Sequence, residues 1–336
     1  MTQSQQTRIQ QQDLTQACKA AGDPLRMSIL KLLGQGAFGV LELCRVFDIK
    51  QSSMSHHLKI LAQSGLVSTQ REGNSIFYRR PLLNGDTAFE HWLTATFTAI
   101  DNSSDTSESQ ESLRTQSAVD EVLADRAKAC AEFFSRHADE FKEQQDLIAS
   151  HDQYGNALND LLASLTSNGN ASNKGYALEI GPGEGAFIPT LAKHFDQVTA
   201  LDVSPDMLAL TQQVVTRQSL DNVRCVLGDA TELTQSDREQ GSYQFAVANM
   251  VLHHVPAPKT IFEQVADLLA DSGSLLITDL CPHEQAWARE SCGDLWLGFD
   301  PADLTAWAKE AGLTEGPSQF LGLRNGFQIQ FRLFHK

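Results

Sequence analysis

Two glycine-rich stretches have the make-up of loops that cradle a nucleotide. Residues 34–39 read GQGAFG, with Gly34, Gly36 and Gly39 in G-x-G-x-x-G spacing. Residues 178–187 read LEIGPGEGAF, with Gly181, Gly183 and Gly185 in G-x-G-x-G spacing and Glu179 two positions ahead of the first glycine. Glycine lets a backbone approach a ligand closely, but a loop of either the kinase or the dinucleotide kind starts from a strand. What precedes Gly34 is DPLRMSILKLL, in which Asp23 is placed to cap a helix and Pro24 to start it. Leu25, Ile29, Leu32 and Leu33 then recur at helical spacing, and Gly34 stands where a helix-closing glycine belongs. No Lys-bearing strand, H-R-D or D-F-G accompanies it, so GQGAFG is read as a connection between helices. What precedes Gly181 is YALEI, a strand. A carboxylate beside its glycines suits a cationic ammonium better than a pyrophosphate, which favours bare helix N–H groups.

Later strand ends carry matching chemistry. VTALDVS brings Asp202 to the end of a second strand, 23 residues after Glu179, where a carboxylate accepts from ribose hydroxyls. RCVLGDATEL ends at Asp229, placed to accept from an adenine amino group, and YQFAVANM brings Asn249 and Met250 to the same sheet edge. This series resembles the class I S-adenosylmethionine (SAM)-dependent methyltransferases over about 160 residues. The resemblance implies that Glu179, Gly181, Gly183 and Gly185 hold the methionine portion and Asp202 with Val203 the ribose. It places Asp229 with Ala230 at the adenine and Asn249 beside the sulfonium, with S-adenosylhomocysteine as product. The glycine spacing disfavours a nicotinamide dehydrogenase. LLADSGSLLITDL resembles the family's later turn and strand, with Asp271-Ser272-Gly273 where Pro-Gly-Gly is usual. No catalytic residue is fixed: methyl transfer from a sulfonium needs a base only when the acceptor carries a proton. His254, after the fourth strand beside His253, is a weak candidate against a structural role. Trp296 and Phe299, in SCGDLWLGFDP, are expected to cover a substrate. Cys281 and Cys292 bring arsenite methylation to mind, but a third well-placed thiol is lacking.

The first hundred residues read differently. After Val40–Phe47, a short helix, QSSMSHHLKILAQ forms a longer one held by Met54, Leu58 and Leu61. Its other face offers Gln51, Ser52, Ser55, His56 and Lys59, groups suited to base edges and phosphates. Ser64-Gly65 stops it, and two strand-like runs then bracket REGN, with Arg71 and Arg79 on the flanks, as in a wing. Together these resemble the recognition helix and wing of the arsenic-repressor (ArsR) family of bacterial transcription regulators over most of residues 14–100. The resemblance implies a homodimer on a double-stranded operator. Gln51, Ser52, Ser55, His56 and His57 would face the major groove, and the N-terminal helix and the segment 84–100 would pack between protomers. His57 is equally well read as packing within the domain. Cys44 has no second thiol near it and 84–100 offers only Asp86, Glu90 and His91, so no metal site is assigned.

Charge and composition agree with two functions in one chain. The net charge of −16 divides into +3 for residues 1–100 and −19 beyond, and residues 45–80 hold six bases against two acids. A local basic patch suffices for nucleic acid in an acidic protein. The six cysteines are scattered without C-x-x-C spacing, and neither a membrane span nor an apolar leader is evident, which favours the cytoplasm. DNSSDTSESQESLRTQSA, with six serines, reads as a polar linker. The expected architecture is therefore a mostly-α winged helix-turn-helix over 1–100 and a flexible linker over 101–118. A Rossmann-like, doubly wound α/β domain follows over 119–336, with a helical lead-in at 119–165 and a closing antiparallel hairpin around Asn325-Gly326. The function read from it is a DNA-binding regulator whose second domain binds SAM and methylates a small molecule. The alternative is a sensor in which SAM or S-adenosylhomocysteine is only an effector.

Overall fold

The computed structural model describes residues 11–83, 85, 87–103, 110–137, 141–167, 175–230, 233 and 243–336. They form two compact units, Met1–Arg126 and Ala127–Lys336.

In the first unit α1 (Gln11–Ala21) and α2 (Pro24–Leu32) lead to β1 (Phe38–Gly39), α3 (Val40–Phe47) and α4 (Gln51–Gln63). The hairpin β2 (Ser68–Glu72) and β3 (Ser75–Arg79) and then α5 (Ala88–Asp101) follow. Asp23 caps α2 by accepting from the Arg26 N–H at 3.0 Å, and Ile29 and Leu30 are fully buried from its apolar face. Met54, Leu58 and Leu61 hold α4 to the same core with no exposure. The sheet runs β1-β3-β2, and Glu72 pairs with Ser75, so the wing turns on Gly73-Asn74 alone, with Gly73 at φ 59°.

GQGAFG is a connection between helices, with one change of reason. Gly34 is not left-handed; a Cβ there would meet the Arg80 guanidinium at 2.9 Å, and Arg80 in turn donates to the Leu30 carbonyl and forks onto Asp101. Phe38 and Gly39 form β1 against Tyr78 and Phe77 of the wing, and Gly39 donates to Glu42 at the start of α3. The stretch is thus the third strand of the winged sheet.

The long helix α6 (Gln110–His137) differs from the expected linker. Of the segment 101–118, residues 110–118 open this helix and 104–109 lie outside the described residues. Its first half carries Val119 and Val122 into the core of the first unit, which gives a serine-rich start something to fold against.

The second unit begins with the rest of α6, α7 (Phe141–Ile148) and α8 (His151–Ser167). Strands β4 (Tyr176–Ile180), β5 (Gln197–Asp202), β6 (Val223–Leu227), β7 (Tyr243–Asn249), β8 (Leu269–Leu280), β9 (Thr314–Gly322) and β10 (Gln328–His335) follow. Helices α9 (Ile188–His194) and α10 (Pro205–Arg217) connect the first of them. The sheet order is β6-β5-β4-β7-β8-β10-β9, parallel through β8, with β10 antiparallel to both neighbours. Asp271-Ser272-Gly273, expected as a turn, lies inside β8, where the register with β7 shifts between Tyr243 and Phe245. The chain winds outward from β4 through β6 and then returns to β7. The carboxyl ends of β4 and β7 therefore flank the switch point at which such sheets bind ligands.

Candidate functional site

On the first unit, Gln51, Ser52, Ser55, His56 and Lys59 are exposed on one face of α4, opposite its buried stripe. His57 stands apart: it is half-buried, and its Nδ1 is buried without a hydrogen-bond partner. Arg71 is exposed on β2 and donates to the Gly73 carbonyl within the wing turn, while Arg79 is half-buried at the end of β3.

On the second unit, the glycine turn follows β4 as its sequence required. Gly181, Gly183 and Gly185 have φ of 62°, 56° and 73°, a region that side chains strain to enter. A Cβ on Gly181 would also lie 2.3 Å from the Val251 side chain. Thr211, buried on α10, donates to the Gly183 carbonyl and fixes the turn from behind. Glu179 is 1% exposed and its Oε2 has no hydrogen-bond partner among the described residues; burial pushes its carboxyl up to about 8. Asp202, at the end of β5, is held at about 6 by burial, offset by backbone N–H groups of Ser204, Gly183 and Val203. Asp202 is thereby tied to the glycine turn. Val203 is 67% exposed beside it. Asp229 is exposed just beyond β6, and Ala230 after it is buried.

Asn249 ends β7, and its Oδ1 is buried without a partner among the described residues while its amide hydrogen-bonds the Tyr154 hydroxyl. Met250 follows at φ 51°, its N–H donating to the Thr278 carbonyl at 2.7 Å. A non-glycine residue in that conformation re-aims the chain at a ligand edge. Tyr154 comes from α8 and feels the charge of Glu179. Sequence spacing offered no signal for it, because a lone aromatic on an amphipathic helix reads as core.

The chemistry of this pocket matches the donors that SAM presents. Two buried acceptors, Glu179 Oε2 and Asn249 Oδ1, await donors at the ends of neighbouring strands; an orphaned buried acceptor costs about 1–3 kcal/mol. An ammonium carries donors of the kind these acceptors lack.

His253 and His254 lie on a 3-10 turn, Leu252–His254, after β7. Burial lowers His253, but the Asp279 and Asp294 carboxylates outweigh it and hold the imidazole at about 9. His254 is driven well below its usual value by burial and by the charge of His253. Its Nδ1 faces the Gly293 carbonyl at 3.3 Å and its Nε2 the Gln145 amide at 3.3 Å. Cys281 and Cys292 are pushed by burial to about 11 and 12, which keeps both thiols protonated. Trp296 and Phe299 are buried, Trp296 donating to the Val255 carbonyl at 2.8 Å, so they pack the wall here. Among the described residues no helix is long and apolar enough to cross a membrane.

Comparison with known proteins agrees with both halves. A methyltransferase-domain family matches residues 125–314, and a helix-turn-helix domain family matches residues 21–70. The transcriptional repressor SdpR of Bacillus subtilis is 42% identical over 60 residues, covering 18% of this chain and 67% of the repressor. A ubiquinone biosynthesis O-methyltransferase of Xanthomonas euvesicatoria is 28% identical over 150 residues, 40% of this chain and 61% of that enzyme. The chain thus spans about three-fifths of the length of that methyltransferase. The crystal structure of magnesium protoporphyrin IX methyltransferase from Synechocystis superposes with a TM-score of 0.51 at 16% identity, over 63% of this chain and 99% of that one. The chain belongs to the methyltransferase-domain family, as a SAM-dependent module fused behind a helix-turn-helix domain of the ArsR repressor type.

Proposed function

We propose that this chain is a homodimeric, cytoplasmic regulator that binds a double-stranded DNA operator through α4 and the wing and transfers a methyl group from SAM to a small molecule. The observation that carries the SAM half is the pair of buried acceptors without a partner among the described residues, Glu179 Oε2 and Asn249 Oδ1, beside a turn of three left-handed glycines of which Gly181 has no room for a Cβ. SAM supplies an electrophilic methyl on a sulfonium. The protein's part is to bind and aim it: Glu179 takes the ammonium, Gly181, Gly183 and Gly185 admit the methionine backbone, and Asp202 takes the ribose. Asp229 and Ala230 border the adenine, and Asn249 stands beside the sulfonium. No base is assigned: His254, the candidate from sequence, is buried with its ring nitrogens facing the Gly293 carbonyl and the Gln145 amide, and a base is needed only when the acceptor carries a proton.

The second reading, SAM as effector alone, is supported by α6, whose residues belong to both units. Isothermal titration of the full chain with SAM and with S-adenosylhomocysteine tests the pocket: micromolar binding lost in Glu179→Gln supports it, and no binding by the wild type refutes it. Turnover is read as S-adenosylhomocysteine released when the low-molecular-mass fraction of a host extract is added. Release that stops on mutation of Asn249 supports the enzyme; binding without release leaves the effector reading.

A further inference from the structure

The feature that neither DNA nor SAM binding uses is a buried cluster of His253, His254 and Asp294. All three side chains are at most 5% exposed, and one ligand atom from each lies within 4.8 Å of the others. His253 Nε2 and His254 Nδ1 are each 3.9 Å from the same Asp294 oxygen. That distance is too long for a hydrogen bond, and the site is closed to bulk water. Among the described residues, His253 Nε2 has no hydrogen-bond partner. Its other nitrogen donates to Asp279 at 2.8 Å, and Asp279 is itself anchored by the Leu280 N–H. A histidine oriented through one nitrogen by a buried carboxylate, with the second nitrogen aimed at two further donors, is the arrangement that supports a metal ligand.

The backbone holds the ligands in place. Leu295 and Trp296 both donate to the His253 carbonyl, at 2.9 and 3.1 Å, which pins the segment carrying Asp294 onto the histidine turn. Gly293, at φ 76°, sets the bend before it.

We propose that His253 Nε2, His254 Nδ1 and an Asp294 oxygen bind a divalent first-row transition ion of the Zn²⁺, Co²⁺ or Fe²⁺ class. Two imidazoles and one carboxylate suit such ions and not Mg²⁺ or Ca²⁺, which take oxygen ligands. With bonds of about 2.0–2.2 Å, tetrahedral ligand atoms stand about 3.4 Å apart, so the two 3.9 Å edges to Asp294 close by roughly half an ångström on loading. For His254 to ligate through Nδ1 its proton moves to Nε2, where the Gln145 amide turns to present its oxygen. Three protein ligands leave one position open, as in sites that keep a water or a substrate atom. The site does not depend on SAM binding.

The test uses the full chain, stripped with a chelator, dialysed and titrated with CoCl₂ and ZnCl₂. The expected result is one ion per chain, with visible Co²⁺ absorption that Zn²⁺ abolishes. Asp294→Asn and His253→Gln should each weaken uptake at least a hundredfold. SAM titration of the same variants reports whether they fold. Uptake by the wild type no greater than by a folded variant, or Co²⁺ absorption that the variants retain, overturns the assignment and leaves water or a bare proton in the gap. If one variant fails to fold, the other decides.

Discussion

Glu179 is a carboxyl that burial holds at about 8 and whose proposed ligand is a cation. At pH 7 it is mostly protonated, yet only the carboxylate attracts an ammonium. SAM affinity should therefore climb by about tenfold per pH unit between pH 6 and 7.5, and binding should release about one proton. The rise turns over near pH 8, where an α-amino group of the ligand's kind, at about 7.7–8.0, loses its own proton. Asp202, at about 6, adds slope only at the acid end. Isothermal titration in two buffers of different ionisation enthalpy measures both quantities. Glu179→Gln should bind about ten- to a hundredfold more weakly, as expected for losing a hydrogen bond to a charged group, and should lose the pH dependence. An affinity flat from pH 6 to 7.5 contradicts the assignment. The positions of Glu179, Asp202 and Asn249 at strand ends were legible because each stands at or next to the last residue of an apolar run. Tyr154 and Asp294 were not: Tyr154 reaches Asn249 from a helix 95 positions earlier, and Asp294 meets His254 across 40 residues of chain. Only the fold supplies such pairings.

Helices α3 and α6 show how an element can be fixed by one residue. Arg126 of α6 donates from Nε to Glu42 Oε1 at 2.8 Å and from Nη2 to Glu42 Oε2 at 2.6 Å, and Nη2 also reaches the Ala37 carbonyl at 3.0 Å. Its guanidinium lies over Phe38 and Phe77, 5.2 and 5.4 Å from their centroids. One side chain, 10% exposed, thus ties α6 to β1, α3 and the wing. Arg126→Ala should cost the first unit about 2–3 kcal/mol, and Arg126→Lys should not rescue it, since the planar fork is what both carboxylate oxygens require. Arg45, paired with Glu121 and Asp125 of the same helix but in solvent, should be replaceable by Ala with little change in unfolding midpoint. Chemical denaturation separates the two. The contrast also explains which elements could be read in advance. The strands and α2 to α4 announce themselves by periodicity and caps, whereas residues 110–118 are polar and fold because Val119 and Val122 behind them are buried. In the wing, Arg71 and Arg79 flank the turn. Replacing both by Ala should reduce the slope of log affinity against log salt by about 2, one for each phosphate charge no longer neutralised. DNA binding unchanged in affinity and slope would remove the wing from the interface.

At the scale of the whole molecule, the chain joins a domain of charge +3, by its first hundred residues, to an acidic remainder of −19. The bases that suit DNA contact cluster in residues 45–80, six against two acids. One helix carries residues of both units: α6 holds the wing through Arg126, and one turn later Cys130 is half-buried, its thiol pushed to about 12 by desolvation and by the charges of Asp202 and Asp294. Asp202 is the carboxylate assigned to the ribose, so a ligand there alters the surroundings of the turn that follows Arg126. If that change reaches the wing, SAM and DNA are linked, and linkage is reciprocal: the factor by which SAM changes DNA affinity equals the factor by which DNA changes SAM affinity. Couplings of this kind amount to about 1–3 kcal/mol, or roughly 5- to 150-fold. A gel-shift titration on the fragment upstream of the chain's own gene, with SAM, with S-adenosylhomocysteine and with neither, measures the first factor; a SAM titration with and without that fragment measures the second. The expected result is two equal factors greater than five in the wild type. Arg126→Ala, which leaves Glu179 and Asp202 untouched, should bring both factors towards one while SAM still binds. Equal DNA affinity under all three conditions would show that the two activities share a chain without sharing a switch.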